Sequence, residues 1–482
     1  GAIGSAEQMH EIISCAKSRS SDKAALFDNQ TVGDVFEAYQ QRLVKYASMD
    51  SVDSLLHVCW LLQESPETLK KLRDRFQHVL ADEFQDINPV QYEMLSALAG
   101  RNTGLFVAGD PGQAVFESHG SSPRFFDQVL ADFGEAETID LKRSYRSTPE
   151  INAGAAESAG TAPIVSDRSS GLQLRHLVVE NPVREGMAIA REIRRVVGGV
   201  SESGTPITLG DIGVVFRTEG QADMIERCLE QDGIPVHVTG QTAFLDTSAS
   251  RHCLNFFRFV SGPTAMGLAG VLNSGCFGKG VYLTEEIDYR FVLTDIQSAV
   301  AEVPALQKAF DTFAMAALTE SARAILEMWI DRTGVEGDFD KLLGIADLST
   351  DFEDFLYRST GVPGQIVERR GPTLRTGEAV SLTTIHASKG REFPVVFVCG
   401  VEEGLIPMER EDANIEEERR LLYVAMTRAK DELILSSVRS RSANGVSLHP
   451  QPSRFLDDLT DTIVTHERLA ATSKKKDQLT LF

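Results

Sequence analysis

Two adjacent carboxylates follow a short apolar run in the first fifth of the sequence. Asp82 and Glu83 come directly after His78 to Ala81, which has the composition of a short strand. A strand that delivers two acidic groups to the edge of a sheet suits the hydrolysis of a nucleoside triphosphate, which needs a held magnesium ion and an aimed water. The pair therefore predicts a site for a nucleotide and magnesium.

Two further polar groups follow later strand candidates. Gln113 closes a tight turn after Gly104 to Ala108, where its amide would lie beside the two carboxylates, although such a turn also occurs for purely structural reasons. Arg146 follows Thr138 to Leu141, and its planar, permanently charged guanidinium suits phosphate oxygens; an ordinary surface arginine is the alternative. Gln113 or Arg146 alone does not predict a phosphate site; the prediction depends on their occurring together with Asp82 and Glu83.

The second half of the sequence holds two longer polar strings. Thr383 to Phe393 joins two strand candidates by a loop with hydroxyls, an imidazole and a lysine, a mixture that suits a phosphate backbone together with a nucleotide sugar. Ile415 to Ala429 predicts a helix with Arg428 near its end, and an arginine so placed could reach across a domain cleft to a phosphoryl group. An exposed charged helix is the alternative.

Apolar runs alternate with helical stretches along much of the chain, as in parallel α/β domains. By contrast, residues 262–370 contain few strand signals and many helix formers, which predicts a mainly helical insertion. The strand candidates are His78 to Ala81, Gly104 to Ala108, Thr138 to Leu141, Ile212 to Phe216, Val236 to Thr239, Val380 to Ile385, Val395 to Gly400 and Glu432 to Ser436. The clearest helix candidates are 32–46, 54–62, 221–231 and 415–429, and helix formers are especially frequent in 302–330.

Composition limits the classes of protein to consider. With 482 residues the chain is too long for one core and should form roughly two to four domains. Six scattered cysteines without a C-x-x-C pair indicate neither a zinc site nor a disulfide framework, and they suit a reducing cytosol. A net charge of −22 argues against coating nucleic acid through a general positive field, so any polyanion must be bound locally. No run approaches the ~20 apolar residues of a membrane span.

Five strings, in this order, resemble the motifs of superfamily 1 DNA helicases of the UvrD/Rep type. They are Asp82–Asp86 (Asp-Glu-Phe-Gln-Asp), Gly109–Gln113 (Gly-Asp-Pro-Gly-Gln), Ser144–Ser147 (Ser-Tyr-Arg-Ser), Thr384–Phe393 (Thr-Ile-His-Ala-Ser-Lys-Gly-Arg-Glu-Phe) and Tyr423–Ala429 (Tyr-Val-Ala-Met-Thr-Arg-Ala). The resemblance implies an α/β fold of two RecA-like domains of the P-loop NTPase type, with helical insertions and ATP between the domains. It also implies movement on single-stranded or 3′-tailed duplex DNA in the 3′ to 5′ direction.

The resemblance assigns roles to the residues around the nucleotide. It implies that Asp82 holds Mg²⁺ and that Glu83 activates the attacking water. Gln113, Arg146 and Arg428 would surround the terminal phosphate.

Other residues would bind the sugar and the DNA. The resemblance implies that Glu392 contacts the ribose, and that Thr384 and His386 lie on the path that couples the nucleotide to DNA. Where the family presents a tryptophan on which a DNA base stacks, this sequence has Ser118, which cannot stack. Phe116 or His119 is the nearest substitute for that contact.

The resemblance also predicts the domain boundaries. The five predicted parts are a helical remnant of an insertion (1–75), the C-terminal part of the first RecA-like domain (76–147), the second RecA-like domain (148–261 and 377–445), a mainly helical insertion (262–376), and a C-terminal extension with a flexible tail (446–482).

The last five residues predict a partner. Gln478, Leu479, Leu481 and Phe482 follow three lysines, and together they resemble the peptide by which proteins dock into the bacterial sliding clamp. A tail that packs on its own domain is the alternative. The docking interpretation predicts a protein of a bacterium, or of a phage or plasmid of bacteria, that works at replication or repair sites; with the cysteine pattern, we expect it in the bacterial cytoplasm.

One expected motif is missing. The family has a Gly-rich phosphate loop well before its Asp-Glu pair, but no G-x-x-x-x-G-K-[ST] occurs in this sequence, which begins with Gly1. The first RecA-like domain is therefore predicted to be incomplete. We expect an N-terminally truncated helicase that hydrolyses ATP poorly on its own. The alternative is a non-catalytic, helicase-like scaffold that binds DNA or the clamp.

Overall fold

The computed structural model describes residues 6–21, 30–45, 49–50, 52–100, 103–134, 136–200, 204–240, 243–276, 293–359, 368–370, 378–409, 414–443 and 446–468. The chain divides into two compact units. Unit 1 comprises Gly1–Ile139 and Thr242–Val367, and unit 2 comprises Asp140–Gln241 and Glu368–Phe482. Among the described residues, no helix is long and apolar enough to cross a membrane.

The first segment of unit 1 carries helices and a two-stranded parallel sheet. Its elements are α1 (Ala6–Arg19), α2 (Gln30–Lys45), α3 (Asp53–Glu64), α4 (Pro66–Arg75), β1 (His78–Ala81), α5 (Pro89–Leu98), β2 (Gly104–Val107) and α6 (Arg124–Asp132). Local sequence explains where α4 and α5 begin. The side chain of Ser65 accepts a hydrogen bond from the Thr68 amide, and Asn88 and Gln91 cap α5 reciprocally.

A buried ion cluster ties α1 to the segment that begins α3. The side chain of Lys17 is 0% exposed, and its Nζ lies 2.5 Å from Asp50 Oδ2 and 2.6 Å from Asp53 Oδ1. The Tyr39 hydroxyl donates to the same Asp50 oxygen at 3.0 Å. Hydrogen bonds from Lys17 and neighbouring groups lower the pKa of Asp50 although burial opposes them. Because a buried charge is costly without a partner, this cluster fixes the packing of the helices.

The two faces of the sheet in unit 1 differ sharply in burial. Ala81 and Val107 point to one face and pack on a cluster that includes Phe84. On the other face, Leu80 and Phe106 are paired in register and are 72% and 59% exposed. Parallel sheets are normally covered on both faces, so a bare apolar face is unusual.

The second segment of unit 1 is helical in its described residues. It contains α10 (Ser248–Ser261), α11 (Ala265–Asn273), α12 (Leu293–Ala301), α13 (Pro304–Thr319), α14 (Ala322–Thr333), α15 (Asp340–Ala346) and α16 (Phe352–Arg358). Its core is aromatic: the Phe257 ring lies near the rings of Phe313, Trp329, Phe352 and Phe355, at centroid distances of 5.3–6.2 Å. This cluster gives the segment its own hydrophobic core.

Unit 2 is an α/β structure assembled from two segments of the chain. The first contributes β3 (Arg143–Ser144), α7 (Pro149–Ala159), β4 (Val165–Ser166), β5 (Leu174–Val179), α8 (Pro182–Val196), β6 (Ile212–Phe216), α9 (Glu219–Gln231) and β7 (Val236–Thr239). The second contributes β8 (Glu368–Arg370), β9 (Val380–Thr384), β10 (Phe393–Val398), α17 (Ile415–Met426), β11 (Ala429–Val438), β12 (Arg441–Ala443), β13 (Val446–Leu448) and β14 (Val464–Arg468).

One eight-stranded sheet organises unit 2. Its strand order is β14-β5-β11-β10-β6-β9-β7-β8, in which only the edge pair β7 and β8 is antiparallel. Every residue of β6 and of β9 is buried, as expected for inner strands covered on both faces. The predicted α/β fold is confirmed.

The structure corrects the predicted elements in three places. Thr138 to Leu141 is not a strand, and Ile139 and Leu141 are exposed. The inner strand β5 was not predicted, because Arg175 and His176 interrupt its apolar run. The C-terminal extension also adds β14 to the edge of the sheet, through a parallel pairing with β5.

Candidate nucleotide site

The two predicted carboxylates lie at the carboxyl end of β1, and both are exposed. Glu83 has φ 51°, and among the described residues it is the one non-glycine residue with a positive φ. The Glu83 amide donates to Asp82 Oδ1 at 2.9 Å, which stabilises this tight turn. Left-handed backbone costs an ordinary residue about 1–3 kcal/mol and is concentrated at functional sites.

The turn after β2 brings Gln113 to the same end of the sheet. The Phe84 amide donates to the Ala108 carbonyl at 2.9 Å, which holds the two strand ends together. Asp110 then accepts a hydrogen bond from Gln113 Nε2 at 2.9 Å. The buried amide of Gln85, for which the sequence predicted no role, bonds to both Glu83 and Asp110. In the sequence, the one feature that pointed to Gln85 was its position within the string Asp82–Asp86.

The acidic groups suit a magnesium ion. Mg²⁺ prefers hard oxygen ligands, and at nucleotide sites it usually takes one or two protein carboxylates together with substrate phosphates. Asp82 presents such a carboxylate in an exposed position at a strand end. Among the described residues, the partner that its side chain shows is the Glu83 amide, on Oδ1. Asp82 could therefore hold the ion through its other oxygen, as the sequence predicts.

In unit 2, Arg146 and Glu392 lie against each other. Arg146 Nε is 2.6 Å from Glu392 Oε2, and Lys430 Nζ is 2.7 Å from Glu392 Oε1. The hydrogen bond from Lys430, followed by the charge of Arg146, lowers the pKa of Glu392 against the opposing effect of burial. The array holds two cations and one ionised carboxylate, a composition that suits phosphate and ribose hydroxyl groups. Lys430 was not predicted, because it follows the recognised string.

A second arginine holds the Arg146 segment in place. Arg168 Nη1 donates to the Arg146 carbonyl at 2.5 Å and to the Lys430 carbonyl at 3.1 Å, while its Nη2 lies 2.6 Å from Asp431 Oδ1. The Ser147 hydroxyl adds a buried hydrogen bond to the Ala429 carbonyl. These contacts fasten the backbone at Arg146 to the start of β11.

Arg428 is buried. Its side chain is 2% exposed, and its guanidinium donates to the Val424 carbonyl at 3.0 Å, the Arg391 carbonyl at 3.3 Å and Thr427 Oγ1 at 3.0 Å. Within unit 2 it thus braces the end of α17 against the residue before Glu392. The sequence carried no sign of this burial.

The residues predicted to contact DNA lie in both units. In unit 2, Thr384 is buried at the end of β9, where its hydroxyl accepts from the Ala387 amide at 3.2 Å, and His386 begins the following turn. In unit 1, the rings of Phe116 and His119 have centroids 6.5 Å apart in an edge-to-face arrangement.

The structure therefore groups the predicted residues by unit. Asp82, Glu83 and Gln113 come together in unit 1, and Arg146 and Glu392 come together in unit 2. The predicted docking peptide, residues 478–482, lies outside the described residues. A cavity of about 620 Å³ in unit 2 is lined by none of the predicted site residues, but by His176, Val178, Pro452, Leu456, Asp457, Leu459, Asp461, His466 and Arg468.

Family comparisons agree with the motifs. Residues 4–134 match the UvrD/REP helicase N-terminal domain, and residues 139–302 and 348–440 match the UvrD-like helicase C-terminal domain. The chain belongs to the UvrD-like DNA helicase family. The domains of this family have the RecA-like, P-loop NTPase type of fold.

Several curated relatives are similar over nearly the whole chain. ATP-dependent DNA helicase PcrA of Bacillus subtilis is 28% identical over 95% of this chain and 68% of the relative. ATP-dependent DNA helicase UvrD1 of Mycobacterium tuberculosis is 29% identical over 92% of this chain and 65% of the relative. DNA helicase II of Escherichia coli is 28% identical, over 92% and 67%. The chain thus spans about two thirds of the length of these proteins.

One solved structure is also similar. The C-terminal domain of a possible DNA helicase from Lactobacillus plantarum covers 67% of this chain and 98% of that chain, at 12% identity and a TM-score of 0.26. A score this low carries no argument about the fold.

Proposed function

We propose that the protein is an ATP-dependent DNA helicase or translocase that moves 3′ to 5′ on single-stranded or 3′-tailed duplex DNA. It would act in DNA repair or replication in the bacterial cytoplasm. In unit 1, Asp82 is the proposed magnesium ligand, Glu83 the group that activates water, and Gln113 the sensor of the terminal phosphate.

The arrangement at the end of β1 carries this proposal. Asp82 is followed by a backbone-strained Glu83, whose carboxylate is joined through Gln85 to the turn that bears Gln113. A structural loop has no need for two exposed carboxylates and a left-handed glutamate. The hydrolysis of a nucleotide bound to magnesium does need them, because one group must hold the ion and another must orient water.

Unit 2 is proposed to supply the remaining nucleotide contacts. Arg146 would release Glu392 to bind a phosphate oxygen, and Glu392 would bind the ribose. Arg428, which is buried among backbone acceptors, is the third proposed phosphate ligand, and it would need to exchange those contacts. Thr384 and His386 are proposed to couple the binding and hydrolysis of the nucleotide to the DNA-binding surface.

We further propose that a segment outside the given sequence completes unit 1. The apolar face of Leu80 and Phe106 is bare, and a two-stranded parallel sheet is marginal alone. Additional strands bearing a phosphate loop would extend the sheet at its edge, their connecting helices would cover this face, and the loop would supply the motif that the sequence lacks. The chain by itself should therefore hydrolyse ATP poorly.

A comparison of two proteins tests the proposed function. The full-length product of the same gene and the given chain are assayed for ATP hydrolysis with and without single-stranded DNA. We expect DNA-stimulated hydrolysis from the full-length product and little from the chain alone. If the full-length product is inactive as well, the helicase proposal is wrong, and DNA binding by the inactive protein would favour the scaffold function instead.

The sliding clamp is the proposed protein partner. The peptide Gln478-Leu479-Thr480-Leu481-Phe482 has a glutamine and apolar anchors suited to a preformed pocket. Removal of these five residues should abolish retention by immobilised bacterial clamp. A control that removes five residues from the polar stretch 470–476 instead should still bind, and unchanged retention of the first variant would disprove the partner.

A further inference from the structure

Gln85 is a buried amide that touches both parts of the acidic site in unit 1. Its side chain is 1% exposed. Its Nε2 donates to Glu83 Oε2, and its Oε1 accepts from the Asp110 amide at 3.0 Å. The side chain therefore spans the gap between the end of β1 and the turn after β2.

The hydrogen bonds continue beyond this amide. Asp110 Oδ2 accepts from Gln113 Nε2 at 2.9 Å, and its Oδ1 accepts from the Gly112 amide at 2.9 Å. An unbroken chain of contacts thus runs from Glu83 through Gln85 and Asp110 to Gln113. The group proposed to activate water and the group proposed to sense phosphate are its two ends.

The space around this chain of contacts is tight. A Cβ atom on Gly109 would lie 2.3 Å from Gln85 Oε1 and 3.0 Å from the Phe84 amide nitrogen. The turn must therefore lack a side chain at this position so that the amide can reach the backbone of Asp110. Close packing of this kind leaves the Gln85 side chain little freedom to move.

The chemistry of the position selects an amide. The same side chain must donate to a carboxylate at one end and accept a backbone N–H at the other, which glutamine does in its fixed geometry. A glutamate would place a second carboxylate against Glu83, and a leucine would leave the Asp110 amide without this acceptor. Asparagine is one methylene too short to make both contacts.

We propose that Gln85 is a positioning residue, which holds the Glu83 carboxylate in its strained turn and joins it to the Gln113 turn. Contact of a nucleotide with Gln113 would then be transmitted to Glu83 through a single rigid connection. This inference rests on the proposed function for its catalytic meaning, but the connection itself belongs to the chain as it stands.

A double-mutant cycle that exchanges the carboxylate of Glu83 and the amide of Gln85 tests the contact between these two side chains. Thermal unfolding is measured at pH 8 for the wild type, Glu83→Gln, Gln85→Glu and the double variant. In Gln85→Glu the introduced carboxylate keeps the contact with the Asp110 amide but faces Glu83. Asp82 and Asp86 on the same segment and Asp110 on the next turn are also acidic, so they add to the repulsion and do not relieve it.

The expected pattern has two parts. At pH 8, Gln85→Glu should lower the melting temperature by several degrees, because two ionised carboxylates repel. The loss should shrink in the double variant, which exchanges amide and carboxylate across one contact. A loss that Glu83→Gln does not relieve would overturn the connection. So would the absence of any loss.

A kinetic measurement tests the positioning role. In the full-length protein, Gln85→Leu should lower kcat for DNA-stimulated ATP hydrolysis by about 100-fold, with little change in KM, because a small misplacement of a catalytic group has effects of this size. An unchanged kcat would refute the role. A wild-type protein without ATPase activity would instead refute the proposed function, and the melting cycle would still decide the connection.

Discussion

Acidification should destabilise unit 2 through one buried histidine. His176 lies on β5, with Nε2 2.8 Å from Ser437 Oγ and Nδ1 2.9 Å from Nδ1 of His466 on β14. Burial, followed by the charge of His466, lowers the pKa of His176 to about 4 from its ordinary value of 6.5. Protonation would place a positive charge on a buried ring that lies against a second histidine.

The sign and size of the effect follow from proton linkage. Between pH 6.5 and pH 4 the unfolded histidine binds a proton that the folded one does not, so stability falls as the pH falls through this window. From pH 7 to pH 5 the lost free energy of unfolding is about 2 kcal/mol for this one group. Above pH 6.5 this loss of stability is absent, because the His176 side chain is mostly neutral in both the folded and the unfolded protein.

Urea unfolding at pH 7, 6 and 5 measures this loss when the wild type is compared with His176→Gln. The glutamine keeps a polar group near Ser437 but cannot titrate. The variant should be less stable at pH 7, yet the gap should narrow by about 2 kcal/mol at pH 5. A gap that stays constant with pH would refute the assignment of this proton to His176.

Two substitutions in unit 1 test its packing. Lys17→Met should cost about 3–5 kcal/mol of unfolding free energy, because it leaves the buried Asp53 carboxylate without its cation; a melting temperature equal to that of the wild type would contradict this. Gly109→Ala should lower the melting temperature, because its Cβ would lie 2.3 Å from Gln85 Oε1. Gly134→Ala is the matched control, because its Cβ meets nothing within 4 Å, and equal effects of the two would refute the clash.

Strands that carry the site were predictable where an apolar run ends at a polar turn. β1, β2 and β9 follow this pattern, because each ends at the turn that bears Asp82, Gln113 or His386. β5 does not, because polar side chains on it find partners in the folded protein. Arg175, for example, makes two hydrogen bonds to Glu467 on β14. Such partners lie nearly 300 residues away along the chain, so no local pattern reveals them.

Residue types at the site were easier to predict than their surroundings. Arg146 and Glu392 were both identified from their strings, but their contact with each other and with Lys430 depends on the sheet that joins distant segments. The burial of Arg428 depends in the same way on the packing of α17. Gln85 stood inside a recognised string, yet its role becomes visible only when the turn after β2 closes on it.

The steady-state rate of ATP hydrolysis by Glu83→Gln in the full-length protein tests the central claim most directly. Glu67→Gln, which alters an exposed glutamate on α4, is the matched control. With saturating single-stranded DNA, the first variant should lose at least about 100-fold in kcat while it still binds ATP, because loss of a catalytic base has effects of this size. The control should match the wild type. A Glu83→Gln protein that hydrolyses ATP as fast as the wild type would contradict the account.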